Sequence, residues 1–168
     1  TEQMLSRRKK LMPLAQTLWL VNRQRQLVSA SDKTPLPDLA SFSPPLDRLA
    51  DDRTAISRPF TDPRTKESLV AIAVAVRGTS DGSSGWILAG FPATALFGAF
   101  SVASPGEDAR LAVFRDDGVR LVGRIIDTPS LDEATVARVL SSRPSMDVHR
   151  FRDGSKRLMN LHTLPRYG

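Results

Sequence analysis

The stretch SLVAIAVAV, Ser68–Val76, runs from one serine into eight consecutive apolar residues. It is flanked by the turn-rich strings TDPRTK (61–66) and GTSDGSSG (78–85). A short, unbroken apolar run between turn signals predicts a strand buried on both faces, an inner strand of a sheet. Its neighbours follow from the same signals. GWILAGF (85–91) is the strand after it, and TAISRPF (54–60) the strand before it. Farther upstream, QTLWLVN (16–22) and QLVSAS (26–31) form a hairpin across the polar turn Arg23-Gln24-Arg25. Between that hairpin and Thr54, Pro35, Pro37, Pro44 and Pro45 exclude regular structure from Asp32 to Pro45. That segment reads as a loop crossing the surface, with LDRLADD (46–52) as a single helical turn inside it.

Ahead of the first hairpin, Thr1 to about Met12 reads as a helix with Met4, Leu5, Leu11 and Met12 on an imperfect apolar stripe, ended by Pro13. Behind Phe91 a second β-rich stretch is expected. Helix ATALFGAFSVA (93–103) leads to strands DARLAVF (108–114) and VRLVGRI (119–125). A helix over Leu131–Leu140 follows, with Ser130 as N-cap and Glu133 at capping-box spacing. Strands MDVHRF (146–151) and KRLMNLHTLP (156–165) close the series. The expected class is α+β with antiparallel sheets.

Composition narrows the function. The 168 residues carry 24 Lys plus Arg against 18 Asp plus Glu, a net charge of +6 spread along the chain. That balance permits nucleic acid, an anionic membrane or an acidic ligand as partner. The densest basic run, SRRKK (6–10), has no interleaved aromatics for base stacking, and Leu131–Leu140 offers only Arg138. A nucleic-acid domain is therefore the third-ranked reading, and no nucleic acid is expected as partner. With no cysteine there is no disulfide, thiolate metal site or cysteine nucleophile. The polar N-terminus does not read as a signal peptide. The charge-free span Ser83–Pro105 is long enough to cross a membrane, but Gly85, Gly90, Pro92 and Gly98 break it into strand and helix.

Two strings, FRDDGVR (114–120) and FRDGSKR (151–157), repeat a short acidic motif. Their spacing does not supply the alternating carboxylates of a calcium loop, whereas Asp-Gly between two strands is a hairpin turn. Asp116, Asp117 and Asp153 are thus read as turn formers. His149 and His162 have no partner at metal-ligand spacing, no GxSxG elbow occurs, and GTSDGSSG lacks the lysine and following helix of a phosphate loop. The chain is read as no enzyme, with no cofactor and no metal. What remains is binding: Arg58 or Arg77 can clamp a carboxylate in bidentate fashion, with Trp19 or Trp86 as an apolar wall and Arg53 nearby. The competing reading of each is a solvated arginine or a core tryptophan.

The order of these strings resembles the double Cache (PDC-type, PAS-like) sensor domains of bacterial diguanylate cyclases and sensor histidine kinases. The resemblance rests on LWLVNRQRQLVSAS, ISRPF with SLVAIAVAV, GWILAGFPATALFGAF, ARLAVFRDDGVRLVGR and FRDGSKRLMNLHTLPRYG. It implies a long N-terminal helix (1–14), a membrane-distal module (15–93), and a linking helix with a membrane-proximal module (94–168). It further implies a periplasmic location between flanking transmembrane helices, a homodimer, and a small carboxylate or amino-acid-like ligand. The alternative is a ligand-free dimerisation module. Where the family often shows Arg-Asp-Tyr-Phe ahead of the strand matching ISRPF, this chain has LDRLADDRT, and its proximal module stops at Gly168 without a further apolar strand.

Overall fold

The computed structural model describes residues 2–77, 84–95, 112–123, 146–150, 154 and 156–160. The apolar run Ser68–Val76 does become an inner strand. It forms most of β5 (Ser68–Arg77), which pairs antiparallel on one side with β6 (Ser84–Pro92) and on the other with β3 (Thr54–Ile56) and β4 (Phe60–Thr61). With β1 (Thr17–Asn22) and β2 (Leu27–Ala30) this makes a six-stranded sheet in the order β2-β1-β6-β5-β3, with β4 also on β5. Every pairing in it is antiparallel.

Alternation along the strands sorts the side chains to two faces. On one, Trp19, Val21, Ala71, Ala73, Trp86 and Leu88 join Phe42 and Leu46 of the long crossing in the larger core cluster. On the other, Leu18 and Ala89 pack with Leu5 of helix α1 (Glu2–Lys10) and with Ala15. Burial on both faces holds only for the first half of β5. Leu69, Val70 and Ala71 are inaccessible, but Val74 is 37% exposed. The reason is that α1, nine residues long, packs against β1 and β2 at the far side of the sheet from β5.

Two expectations are corrected. The single strand over 54–60 is two short ones, because the Ser57 hydroxyl takes the place of a ladder carbonyl by accepting the Ala71 N–H (2.9 Å), and Pro59 has no N–H to give. The first helix is shorter than the expected run to about Met12 and ends at Lys10. Of its expected stripe only Leu5 is buried, while Met4, Leu11 and Met12 are exposed.

The crossing contains two 3-10 turns, Leu39–Ser41 and Leu46–Arg48, the second where a helical turn was expected. In the second half, β7 (Ala112–Phe114) pairs with β8 (Arg120–Gly123), and β9 (Met146–Arg150) with β10 (Lys156–Asn160). The Asp117-Gly118 motif sits at the β7–β8 turn with Gly118 at φ 84°, and Gly154, between β9 and β10, has φ 80°, in both cases the left-handed conformation that glycine adopts without strain; Asp153 lies outside the described residues. The β1–β2 turn has the same build as the β7–β8 turn. Its Asn22 N–H···O Gln26 and Arg25 N–H···O Asn22 bonds match Arg115 N–H···O Val119 and Gly118 N–H···O Arg115, with Arg25 at the left-handed position. The expected helix over 131–140, and most of the one over 93–103, lie outside the described residues.

Candidate functional site

The crossing turns back toward the sheet at Leu46, and its carbonyl accepts the indole N–H of Trp86 at 3.1 Å. Beyond that bond the segment stands off the ends of β5 and β6 and leaves a cleft of about 190 Å³. Leu46, Leu49, Ala75 and Trp86 give it an apolar floor, and Arg23, Asp47, Asp51 and Arg77 form its rim. Pockets for drug-sized molecules run to roughly 300–1,000 Å³, so this cleft suits a smaller guest.

The rim is charged in both senses. Asp51 pairs with Arg77, and Asp47 with Arg25 of the β1–β2 turn. Both pairs are largely solvated, and such surface pairs contribute only about 0–1 kcal/mol each. A ligand carboxylate or ammonium can therefore replace one partner at little cost. Among the described residues Arg23, also on the rim, has no carboxylate within salt-bridge distance.

Of the five binding residues named from the sequence, two meet here: Trp86 in the floor and Arg77 on the rim. Trp19 belongs to the same core but is sealed within it. Its indole N–H donates to Thr34 O at 3.0 Å and its ring lies over Gly90 and 6.3 Å from the Phe60 ring centroid, so it lines no part of the cleft. Arg53 is exposed at the start of β3, outside the cleft. Arg58 is exposed beside a different group of charges.

That second group was missed from the sequence. Arg115, the first residue of the Asp-Gly turn, is only 6% exposed. Its guanidinium grips Asp117 with Nε (2.9 Å to Oδ1) and Nη2, and Nη1 donates to Ser41 O (2.6 Å) and Ile56 O (2.7 Å). The Arg115 hydrogen bonds hold the Asp117 carboxyl below the usual carboxylate range, against the opposing effect of burial, with the charge of Arg58 adding to the shift. Asp117 also accepts the Val119 N–H, as a turn former should. The string FRD carries no visible mark of an arginine that reaches a distant segment, because the contacts span 74 and 59 positions.

A third polar group ties the crossing to α1. Asp32 accepts hydrogen bonds from Lys9 Nζ (2.7 Å), Thr17 Oγ1 (3.0 Å) and the Thr34 N–H (2.9 Å). Burial pushes the Asp32 carboxyl up, but the hydrogen bonds led by Lys9 outweigh it and hold the group well below its ordinary value of 3.8. A depressed folded-state value adds stability that is complete above pH 3.8 and is lost as the pH falls below it. Asp32→Asn is therefore expected to cost about 1–3 kcal/mol at pH 7, and the gap to the parent should narrow steadily below pH 4. Urea unfolding at a series of pH values measures this.

No protein-family model matches the sequence, and no curated protein does. Solved structures do. The ligand-binding domain of the Pseudomonas fluorescens chemoreceptor CtaA in complex with L-isoleucine superposes with a TM-score of 0.53 at 19% identity, covering 90% of this chain and 63% of that one. The same domain with L-leucine gives 0.51 at 18% identity, over 90% and 65%. The ligand-binding domain of the Pseudomonas aeruginosa amino-acid chemoreceptor PctC in complex with GABA gives 0.47 at 19%, over 73% and 58%. The first two place the antiparallel α+β fold among those found in chemoreceptor ligand-binding domains, and the chain spans less than two thirds of the length of all three.

Proposed function

We propose that the chain is the ligand-sensing part of a membrane receptor's extracytoplasmic domain, without catalytic activity of its own. The observation that carries this reading is the cleft between crossing and sheet, apolar in its floor and edged by exchangeable Arg and Asp pairs. The ligand is a small carboxylate, most simply an amino acid. Its carboxylate would bind Arg77 while its ammonium faces Asp47 or Asp51. Residues 15–93 form the membrane-distal, ligand-binding module and 94–168 the proximal one. The receptor is a homodimer, anchored by transmembrane helices flanking this segment, and its output is a diguanylate cyclase or histidine kinase. The chemoreceptor likeness supports the fold of a sensor domain.

A thermal-shift screen of amino acids, organic acids and polyamines tests the reading. A binder at 100 times its dissociation constant should stabilise the fold by about 2.7 kcal/mol. Arg77→Ala should remove at least about half of that shift with little effect on the unliganded melting point, since the Arg77–Asp51 pair is solvated. The second reading, a ligand-free contact module, is favoured by exposed Leu11 (82%) and Leu14 (62%) beside α1. Uniform silence in the screen would select it.

A further inference from the structure

The turn Arg115–Val119 and the cleft share one piece of chain. Ser43 and Ile56 exchange backbone hydrogen bonds (3.0 and 2.9 Å), and the Arg58 N–H donates to Ser41 O at 3.2 Å. These bonds stitch the base of the crossing to the end of β3. Arg115 Nη1 donates to the same two carbonyls, Ser41 O and Ile56 O, one on each side of the seam. Ser43 Oγ also reaches Asp116 Oδ1, at 3.4 Å. Immediately after the seam the crossing continues through Leu46, held by Trp86, into the wall of the cleft.

The geometry of the guanidinium is suited to this task. Asp117 occupies the Nε and Nη2 edge, which fixes the plane and aims Nη1 at the seam. A lysine keeps the charge but cannot make the fork and the two carbonyl bonds together. A shift of the crossing at Leu46 therefore cannot be absorbed at Ser41–Ser43 without loosening Arg115, and the β7–β8 hairpin moves with it.

We propose that Arg115 is a positioning residue for the cleft: through Ser41 and Ile56 it fixes the base of the crossing, and it makes cleft shape and the seat of the β7–β8 hairpin a single equilibrium. The proposal rests on the cleft being the ligand site, and it places the contact by which occupancy reaches the second half of the chain.

The test perturbs the cleft by mutation, without ligand. In the ¹⁵N-labelled chain the Arg115 Nε–H resonance, identified by its loss in Arg115→Lys, and the Gly118 amide report the turn. Trp86→Phe removes the bond to Leu46 O. Asp51→Asn, on the solvated rim, supplies a second perturbation that does not endanger folding. Both are expected to shift the Arg115 and Gly118 resonances, and in the Arg115→Lys background the Gly118 amide should no longer respond. Resonances that stay in place in both cleft variants, or a Gly118 amide that responds equally without Arg115, overturn the proposal. A silent ligand screen would leave this result standing, whereas a binder with unmoved resonances would keep the cleft and remove the role of Arg115.

Discussion

Trp19→Ala is expected to lower the unfolding free energy by about 3–5 kcal/mol, the range for truncating a buried aromatic residue. Trp19 is wholly inaccessible and among the largest side chains at the centre of the fold. Its ring lies over Gly90, packs against Phe60, and spends its one polar atom on Thr34 O. Alanine leaves a void bounded by the sheet and the crossing, and removes the donor of a buried carbonyl. Chemical unfolding followed by circular dichroism measures the cost. A change below about 1 kcal/mol would mean that the crossing is not seated on this face as described.

Gly85→Ala should be as severe, for a different reason. A Cβ built at Gly85 would lie 2.1 Å from the Val21 carbonyl oxygen and 3.1 Å from the Asn22 Cα. These are backbone atoms of the neighbouring strand, held by the β1–β6 ladder, so no side-chain rotation relieves the clash. The ladder must open where Val21 faces Trp86, which also splays the cleft floor. A loss of about 3 kcal/mol or more is expected, beyond ordinary overpacking. At Gly90 the atoms a Cβ would meet belong to the side chains of Thr17 and Trp19, at 2.9 Å, so Gly90→Ala should cost less.

The sheet was legible in the sequence because its signals are local. Apolar runs bounded by turns marked β1, β2, β5 and β6, and Asp117-Gly118 marked a hairpin turn, since glycine's left-handed conformation is a property of one residue. The break at Ser57 was not legible, because a hydroxyl replacing a ladder carbonyl looks like any serine in a strand. The candidate cleft was legible only in part of its lining. Trp86 and Arg77 could be named from their place next to the β5–β6 turn, but nothing local distinguishes an indole in a cleft floor from Trp19, sealed in the core. Arg115 was hidden for the same reason in stronger form, since its role exists only through carbonyls far away in the chain.

The central claim, a small carboxylate ligand held between Trp86 and the Arg77 rim, is tested most directly by fluorescence. The chain has two tryptophans, so Trp19→Phe leaves Trp86 as the single indole. Titrating that variant with amino acids and small organic acids should give a saturable change in Trp86 emission. Arg77→Ala should weaken the binding at least about tenfold, a loss of about 1.4 kcal/mol. Binding detected by calorimetry with no change at Trp86, or with undiminished affinity in Arg77→Ala, would contradict the account.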